Sequence, residues 1–291
     1  MSFSKKIKKH IRTLFTVISP TLSTKILYKR AKGEKLNLKQ PKSFSEKLLY
    51  LKLNTYYNNP LVTKCADKYV VREYIKEKGF SELLNGLIGV YDSVDQIKWE
   101  KLPQRFVLKC NHGSGYNIIC PDKNKLDIDY TKKQLKKWMS EDYWKFSAEV
   151  NYKYIKKKII CEKYLDTDIG FLPIDYKVYC FNGKPKAILV MFDRDSSPKG
   201  LFMSTKWEFI ANVDKYGVID KLPEKPYSLE TMITAAKKLS EPFPFVRVDF
   251  YQYLNQAIFG EMTFTPAGGI SPSETNIDGK SMGEILNIIG Y

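Results

Sequence analysis

The chain has 291 residues, 43% hydrophobic and 14% aromatic, enough apolar material for a sizeable core and too much for a disordered chain. Its formal net charge of +16 points to anionic partners: phosphates, acidic glycans or an anionic lipid surface. No apolar run reaches the roughly 18 residues that a spanning helix needs and no cleavable secretory signal is evident; five cysteines without a C-x-x-C pair, and only two histidines, argue against a disulfide framework or a Cys/His zinc site.

Residues 3–18 have the pattern of a basic amphipathic helix, with Ile7, Ile11, Leu14, Phe15 and Ile18 near one face. Such a helix either packs on its own domain or touches a membrane surface. "SFSE" is a capping box, which predicts a helix over 43–53. "DKYVVREYIKEKGF" predicts a third helix that stops near Gly79.

From Arg105 the pattern changes to short β runs. Strands are predicted at 105–110, 116–120, 158–165, 175–181, 185–193, 201–210, 245–252 and 257–264, and helices at 130–139, 228–239 and 280–288. Asn182-Gly183 between two of the strands is a strong hairpin signal. Hairpins with intervening helices argue for an α+β chain with antiparallel sheet, not a doubly wound parallel one. Nucleic acid is not the expected partner, because there is no zinc finger or RNP signature and the aromatics do not interleave with basic runs such as "KKIKKHIR".

Three stretches carry candidate chemistry. In "FVLKCNHGSGYNIIC" a strand lysine, Lys109, precedes the Gly113-Ser114-Gly115 loop. Backbone N–H groups of such a loop can gather around phosphate while the lysine neutralises it; an ordinary surface hairpin has the same look. The Walker A pattern is absent, and the kinase order, Gly-rich loop before lysine, is reversed. In "KKIICEKYL" a strand ends in Glu162, with Tyr164 and Leu165 beyond. A strand tip between lobes can offer backbone and apolar surface to adenine and a carboxylate to ribose, or be no more than a strand tip.

"FVRVDFYQYLNQAIFGEMTF", residues 245–264, says most. Arg247 and Asp249 alternate with Val246, Val248 and Phe250 and so share one face. A reversal around Leu254-Asn255-Gln256 puts Asp249 opposite Glu261, give or take one residue, and paired residues on one face lie roughly 4.5–5.5 Å apart at Cβ. Two carboxylates so close repel unless one is protonated or a cation lies between them, and magnesium with phosphate as a further ligand resolves the conflict; a slip of one residue would send Glu261 to the other face. Lys177 in "DYKVYCF" and Arg194 after "AILVMFD" are candidate contacts to a transferring phosphoryl group, or surface cations.

The order of strand lysine, Gly-Ser loop, "CEKYL", "RVDF" and "GEMTFTPAGG" resembles the ATP-grasp superfamily, specifically its TupA-like group, named after a teichuronopeptide biosynthesis protein. The similarity runs from about Pro41 to the C-terminus and includes "SFSEKL", "ADKYVVREY" and "DYKVYCFNGKP". It implies an ATP-grasp fold, two α+β subdomains with antiparallel sheets enclosing ATP, with a helical lobe over 1–80, a small subdomain over 81–166 and a large one over 167–291. Carried over, Lys109 and Gly113-Ser114-Gly115 would hold phosphates, Glu162, Tyr164 and Leu165 the adenine and ribose, and Asp249 and Glu261 Mg²⁺. Thr263 stands where many members carry Asn, and Lys68 and Arg72 are candidates for a further phosphate contact.

The activity this implies is a carboxylate–amine ligation through an acyl phosphate, with Arg247, Arg194 and Lys177 neutralising charge, and an acidic bacterial surface polysaccharide or its precursor as the carboxylate. The alternative is a sugar-nucleotide-dependent glycosyltransferase using the same carboxylate pair, though no isolated D-x-D motif is present. A third possibility is a non-catalytic binder of acidic glycan or lipid. The expected location is the cytoplasm, with peripheral contact at the inner membrane face.

Overall fold

Two antiparallel sheets set the architecture of the computed structural model, which describes residues 13–166, 172–193, 197–219, 221–270 and 274–291. The first contains β1 (Leu87–Tyr91), β2 (Phe106–Cys110), β3 (Asn117–Cys120) and β4 (Ile159–Lys163) in the order β1-β4-β2-β3. The second contains β5 (Asp175–Phe181), β6 (Lys184–Phe192), β7 (Lys199–Ser204), β8 (Phe209–Asn212), β9 (Phe245–Tyr253) and β10 (Gln256–Thr263) in the order β10-β9-β5-β6-β7-β8. Sequence-adjacent strands pair through tight turns. Asn182 and Gly183 take φ of 48° and 74°, and Leu254 and Asn255 take 48° and 61°, the left-handed pairs that a two-residue turn between twisted strands requires.

Each sheet has its own core. The larger lies under β5, β6 and β9, where Met232, Ala235, Ala236 and Leu239 of the helix Leu229–Ser240 are buried. The helix Phe44–Leu53 joins this core. Its capping box forms as its sequence predicts, with Ser43 and Glu46 bonding reciprocally. Phe44 packs against Phe181 and Phe245 at ring-centroid distances of 5.7 and 5.1 Å. The smaller core brings Phe106, Leu108 and Cys161 of the first sheet against Leu135 of the helix Ile128–Ser140. All five cysteines are buried free thiols.

Some elements differ from the sequence expectation. The run at 201–210 is two strands, because Trp207 at φ 70° turns the chain between β7 and β8. The predicted helix over 67–80 is only Val71–Glu77: the Asp67 carboxylate accepts the N–H groups of Tyr69 and Val70 and holds a turn there. A separate helix, Pro60–Ala66, precedes it, capped by Asn59 with proline at its first position. Strand β1 is additional. Of the helix expected over 3–18, residues 13–18 are helical and the rest lies outside the described residues; Leu14, Val17 and Ile18 are solvent-exposed there.

Candidate active site

A β-bulge brings the two acids together. From the turn, β9 and β10 pair regularly as far as Phe250 opposite Phe259, and the register then shifts so that Asp249 faces Glu261. A regular ladder would have set Gly260 opposite Asp249 and turned Glu261 to the other face. The extra residue at Gly260 returns Glu261, and with it Thr263 opposite Arg247, to the face that carries Asp249.

On that face the charges interlock. Arg247 donates from Nε to Asp249 Oδ1 at 2.7 Å and from Nη2 to Oδ2 at 2.6 Å. Lys177, on the neighbouring β5, donates to Asp249 Oδ2 at 2.9 Å and to Asp175 Oδ2 at 2.6 Å. Thr263 donates to Glu261 Oε1 at 3.1 Å, and Arg247 Nη2 lies 3.7 Å from the same oxygen. Burial alone would raise the Glu261 carboxyl, but Lys68, Arg247 and Lys177 outweigh it and bring it down to about 2. Burial opposes the charge on Lys177 as well, and Asp249 and Asp175 overcome it, so its ammonium is held above the ordinary lysine value.

The first sheet supplies the opposite wall. Lys109 on β2 donates to Glu162 on the adjacent β4 at 2.7 Å, and Arg72 approaches the other Glu162 oxygen at 3.5 Å. Glu162, Lys109, Tyr164 and Leu165 line one slot with Ile258 and Phe259 of β10, so the slot lies between the two sheets. The Gly113-Ser114-Gly115 loop joins β2 to β3. Gly113 packs so closely on Tyr143 that an added Cβ would sit 2.7 Å from its ring, and Gly115 has φ of 75°. Lys68 ties this loop to the acids, its ammonium lying 2.7 Å from the Gly113 carbonyl and 3.2 Å from Glu261 Oε2.

The fold thus gathers Lys109, Glu162, Tyr164 and Leu165 in one slot, and Lys177, Arg247, Asp249 and Glu261 on one face, with the Gly113–Gly115 loop between. Arg194 lies outside the described residues. Two facing carboxylates are the oxygen donors that a hard divalent ion such as Mg²⁺ takes; both oxygens of Asp249 are bonded to Arg247 or Lys177, so an ion there would displace at least one of those cations. Among the described residues no cluster of three or more His, Cys, Asp or Glu could hold a metal alone.

Sequence reasoning missed a second cavity, of about 330 Å³, on the far side of Glu261. Arg247, Glu261, Ser114, Tyr143, Glu149 and Tyr152 are among its walls. Behind it Lys52, 1% exposed, donates to the carbonyls of Ser147 at 2.8 Å and Gly268 at 3.0 Å. His112, the histidine beside the loop, is buried with Nε2 at 3.1 Å from the Trp138 carbonyl, and burial lowers it to about 4, so it stays neutral at physiological pH.

A family described as TupA-like ATPgrasp matches residues 46–286. Comparison with curated proteins gives no match. Among solved structures, the chain is similar to a D-alanine–D-alanine ligase from Bacillus anthracis (18% identity, TM-score 0.44, 72% of this chain and 59% of that one). It is also similar to an L-amino acid ligase from Bacillus licheniformis (11%, 0.43, 78% and 50%) and a D-alanine–D-alanine ligase from Helicobacter pylori (14%, 0.42, 78% and 64%). The chain spans less than two thirds of the length of each.

Proposed function

The chain belongs to the TupA-like ATP-grasp family, and from that premise we propose that it is an ATP- and Mg²⁺-dependent ligase that joins a carboxylate to an amine through an acyl phosphate, releasing ADP and phosphate. The observation that carries the proposal is the Lys68 bridge, which brings the Gly-Ser loop against the face holding Asp249 and Glu261. A triphosphate reaching from the slot would meet loop, metal acids and cations together.

In this reading the adenosine occupies the slot at Tyr164, Leu165 and Glu162. Lys109, Lys68 and the loop would hold the phosphates, and Asp249 and Glu261 would hold Mg²⁺, which when bound would supply charge neutralisation to the phosphates. Lys177 and Arg247 offset the negative charge that gathers as the substrate carboxylate takes up the γ-phosphoryl group. Arg194 is retained as a further candidate for that role. The work is alignment and electrostatics, so no Ser, Cys or His nucleophile is required. The slot would open between lobes over 81–166 and 167–291, with the lobe over 1–80 closing the acceptor side.

The polysaccharide substrate rests on the family's name and on the +16 charge, which suits an acidic glycan. Cytoplasmic location with peripheral membrane contact rests on the exposed apolar residues of 13–26 among basic ones; no helix among the described residues is long and apolar enough to cross a membrane.

The test is direct. Purified protein with ATP, Mg²⁺ and D-glucuronic or D-galacturonic acid should release ADP, and hydroxylamine should trap the acyl phosphate as a hydroxamate. Asp249→Asn should remove turnover; because it also takes the charge that neutralises the buried Arg247 and Lys177, its melting temperature should fall, and circular dichroism at the assay temperature checks that the variant is still folded. Release of AMP and pyrophosphate would refute the mechanism.

A further inference from the structure

We propose that the cavity beyond Glu261 is the amine site, and that Glu149 binds the incoming ammonium there and takes its proton. This rests on the ligase reading, because only that reaction needs an amine at this place.

The cavity has two chemically different ends. Arg247, already at the candidate phosphoryl-transfer face, offers a guanidinium, which suits an anionic carboxylate or acyl phosphate. Glu149, 4% exposed, contributes a carboxylate to the same cavity. Beside it stand Tyr143 and Tyr152, packed edge to face at 5.2 Å. A buried carboxylate flanked by aromatic rings is a site for an alkylammonium. Burial raises both tyrosine hydroxyls well above their ordinary value, so they remain neutral and Glu149 is the carboxyl group at that end.

Glu149 is held in place by chain segments distant in sequence. The Thr265 hydroxyl donates to its Oε1. Lys52, from the helix Phe44–Leu53, is committed to the Ser147 and Gly268 carbonyls and acts on Glu149 through space. Burial raises the Glu149 carboxyl, and Thr265 and Lys52 moderate that rise. The other charged groups lining the cavity are Arg247 and Glu261, from β9 and β10. Glu261 is held by Lys68 and Thr263 and is assigned to the metal, so Glu149 is the carboxylate left for the amine.

The step balances. The ammonium gives one proton to the Glu149 carboxylate, and the neutral nitrogen attacks the acyl carbon. The C–N bond forms, the C–O bond to phosphate breaks, and phosphate leaves with that electron pair. A second nitrogen proton goes to the phosphate, and Glu149 returns its proton to water.

The first arm of the test needs no turnover. Amides of the common L- and D-amino acids, each an ammonium without a carboxylate, are screened by thermal shift on the full chain with a non-hydrolysable ATP analogue and Mg²⁺. At least one should stabilise the parent protein, and Glu149→Gln should lose that response while keeping the response to the nucleotide analogue. Failure of every amide on the parent protein, or equal stabilisation of Glu149→Gln, overturns the proposal and leaves the ligase reading to its own test of ADP and hydroxamate. The second arm compares that amide with hydroxylamine, which is already neutral at neutral pH and needs no base. Glu149→Gln should lower the ratio of amide to hydroxamate by about 100-fold, within the usual reach of general-base catalysis. Glu149→Asp, which keeps the charge, should recover part of it. An unchanged ratio would mean that Glu149 only supports the wall.

Discussion

Asp249 faces Glu261 across the β9–β10 ladder only because Gly260 is an extra residue in β10. The bulge leaves no space at that residue: a Cβ on Gly260 would stand 3.0 Å from the Asp249 carbonyl oxygen and 3.2 Å from the Tyr251 ring. Gly260→Ala is therefore expected to cost ~1–3 kcal/mol in urea unfolding and to lower ligase turnover far more than that loss explains, since one acid must shift relative to the other. A variant with parental turnover would mean that their spacing is not what matters.

Lys68 bonds the loop and the acid face at once, so Lys68→Met should act on both. Its ammonium is placed to share the charge of a triphosphate as well as that of Glu261. Removing it is expected to lower kcat/KM for ATP by about 100-fold, the scale of one lost electrostatic donor at a reacting phosphate. Steady-state kinetics against ATP checks this, and a loss confined to the amine or carboxylate KM would place Lys68 elsewhere.

The parts of this site differ in how they can be read from sequence. The pairing of β9 with β10 was legible because Val246, Val248 and Phe250 alternate with Arg247 and Asp249, and Leu254-Asn255 supplies the turn. The bulge was not: a reversal over Leu254-Asn255-Gln256 sets Asp249 opposite Glu261 by itself, whereas the structure turns on two residues, pairs Gln256 with Tyr253, and recovers the same pairing through the extra residue at Gly260. Lys109 and its loop stood out because strand and glycine signals adjoin. Glu149 gave no signal. It sits in "SAEVNYKY", a stretch of short irregular turns, and becomes a cavity wall only when Thr265 and Lys52, 116 and 97 residues away, pack around it. β1 was missed because Gly86 and Gly89 dilute its apolar run, and Lys52 because a lysine on a helix is normally a surface residue.

Lys52 should leave a mark on alkaline stability. Burial lowers its ammonium from 10.5 to about 8, with Glu149 opposing the shift. Below pH 8 both folded and unfolded chains carry the proton, and the folded state bears the cost of a buried charge. Between about 8 and 10.5 the unfolded chain binds the proton and the folded chain releases it, so this residue makes stability rise with pH. The buried cysteines and tyrosines, whose values are raised, push the other way at high pH. The difference between parent and Lys52→Met isolates the lysine: the parent should gain relative to the variant from pH 8 to 10.5 in urea midpoints. Parallel curves would show that Lys52 keeps its ordinary value.

The N-terminal helical stretch offers the test of membrane contact. Leu14, Ile18, Leu22 and Ile26 recur every four residues and are all exposed, Leu14 at 62% and Ile18 at 71%. Ser19 is extended, at φ −152° and ψ 100°, and caps the helix Pro20–Lys32, so two helices meet there: Leu14 and Ile18 make an exposed apolar strip on the first, and Leu22 and Ile26 one on the second. Lys25, Lys29 and Arg30 are exposed beside it. An apolar stripe with flanking cations inserts shallowly in an anionic bilayer, gaining from burial and from charge together. The full chain should co-sediment with vesicles containing phosphatidylglycerol and much less with neutral vesicles. Leu14→Ser with Ile18→Ser should weaken that binding about tenfold or more, because each buried apolar side chain contributes ~1.5–3 kcal/mol. Raising the salt should weaken binding of the parent too, since the cationic part is screened. Vesicle binding that ignores both the substitutions and the salt would remove these helices from any role at the membrane.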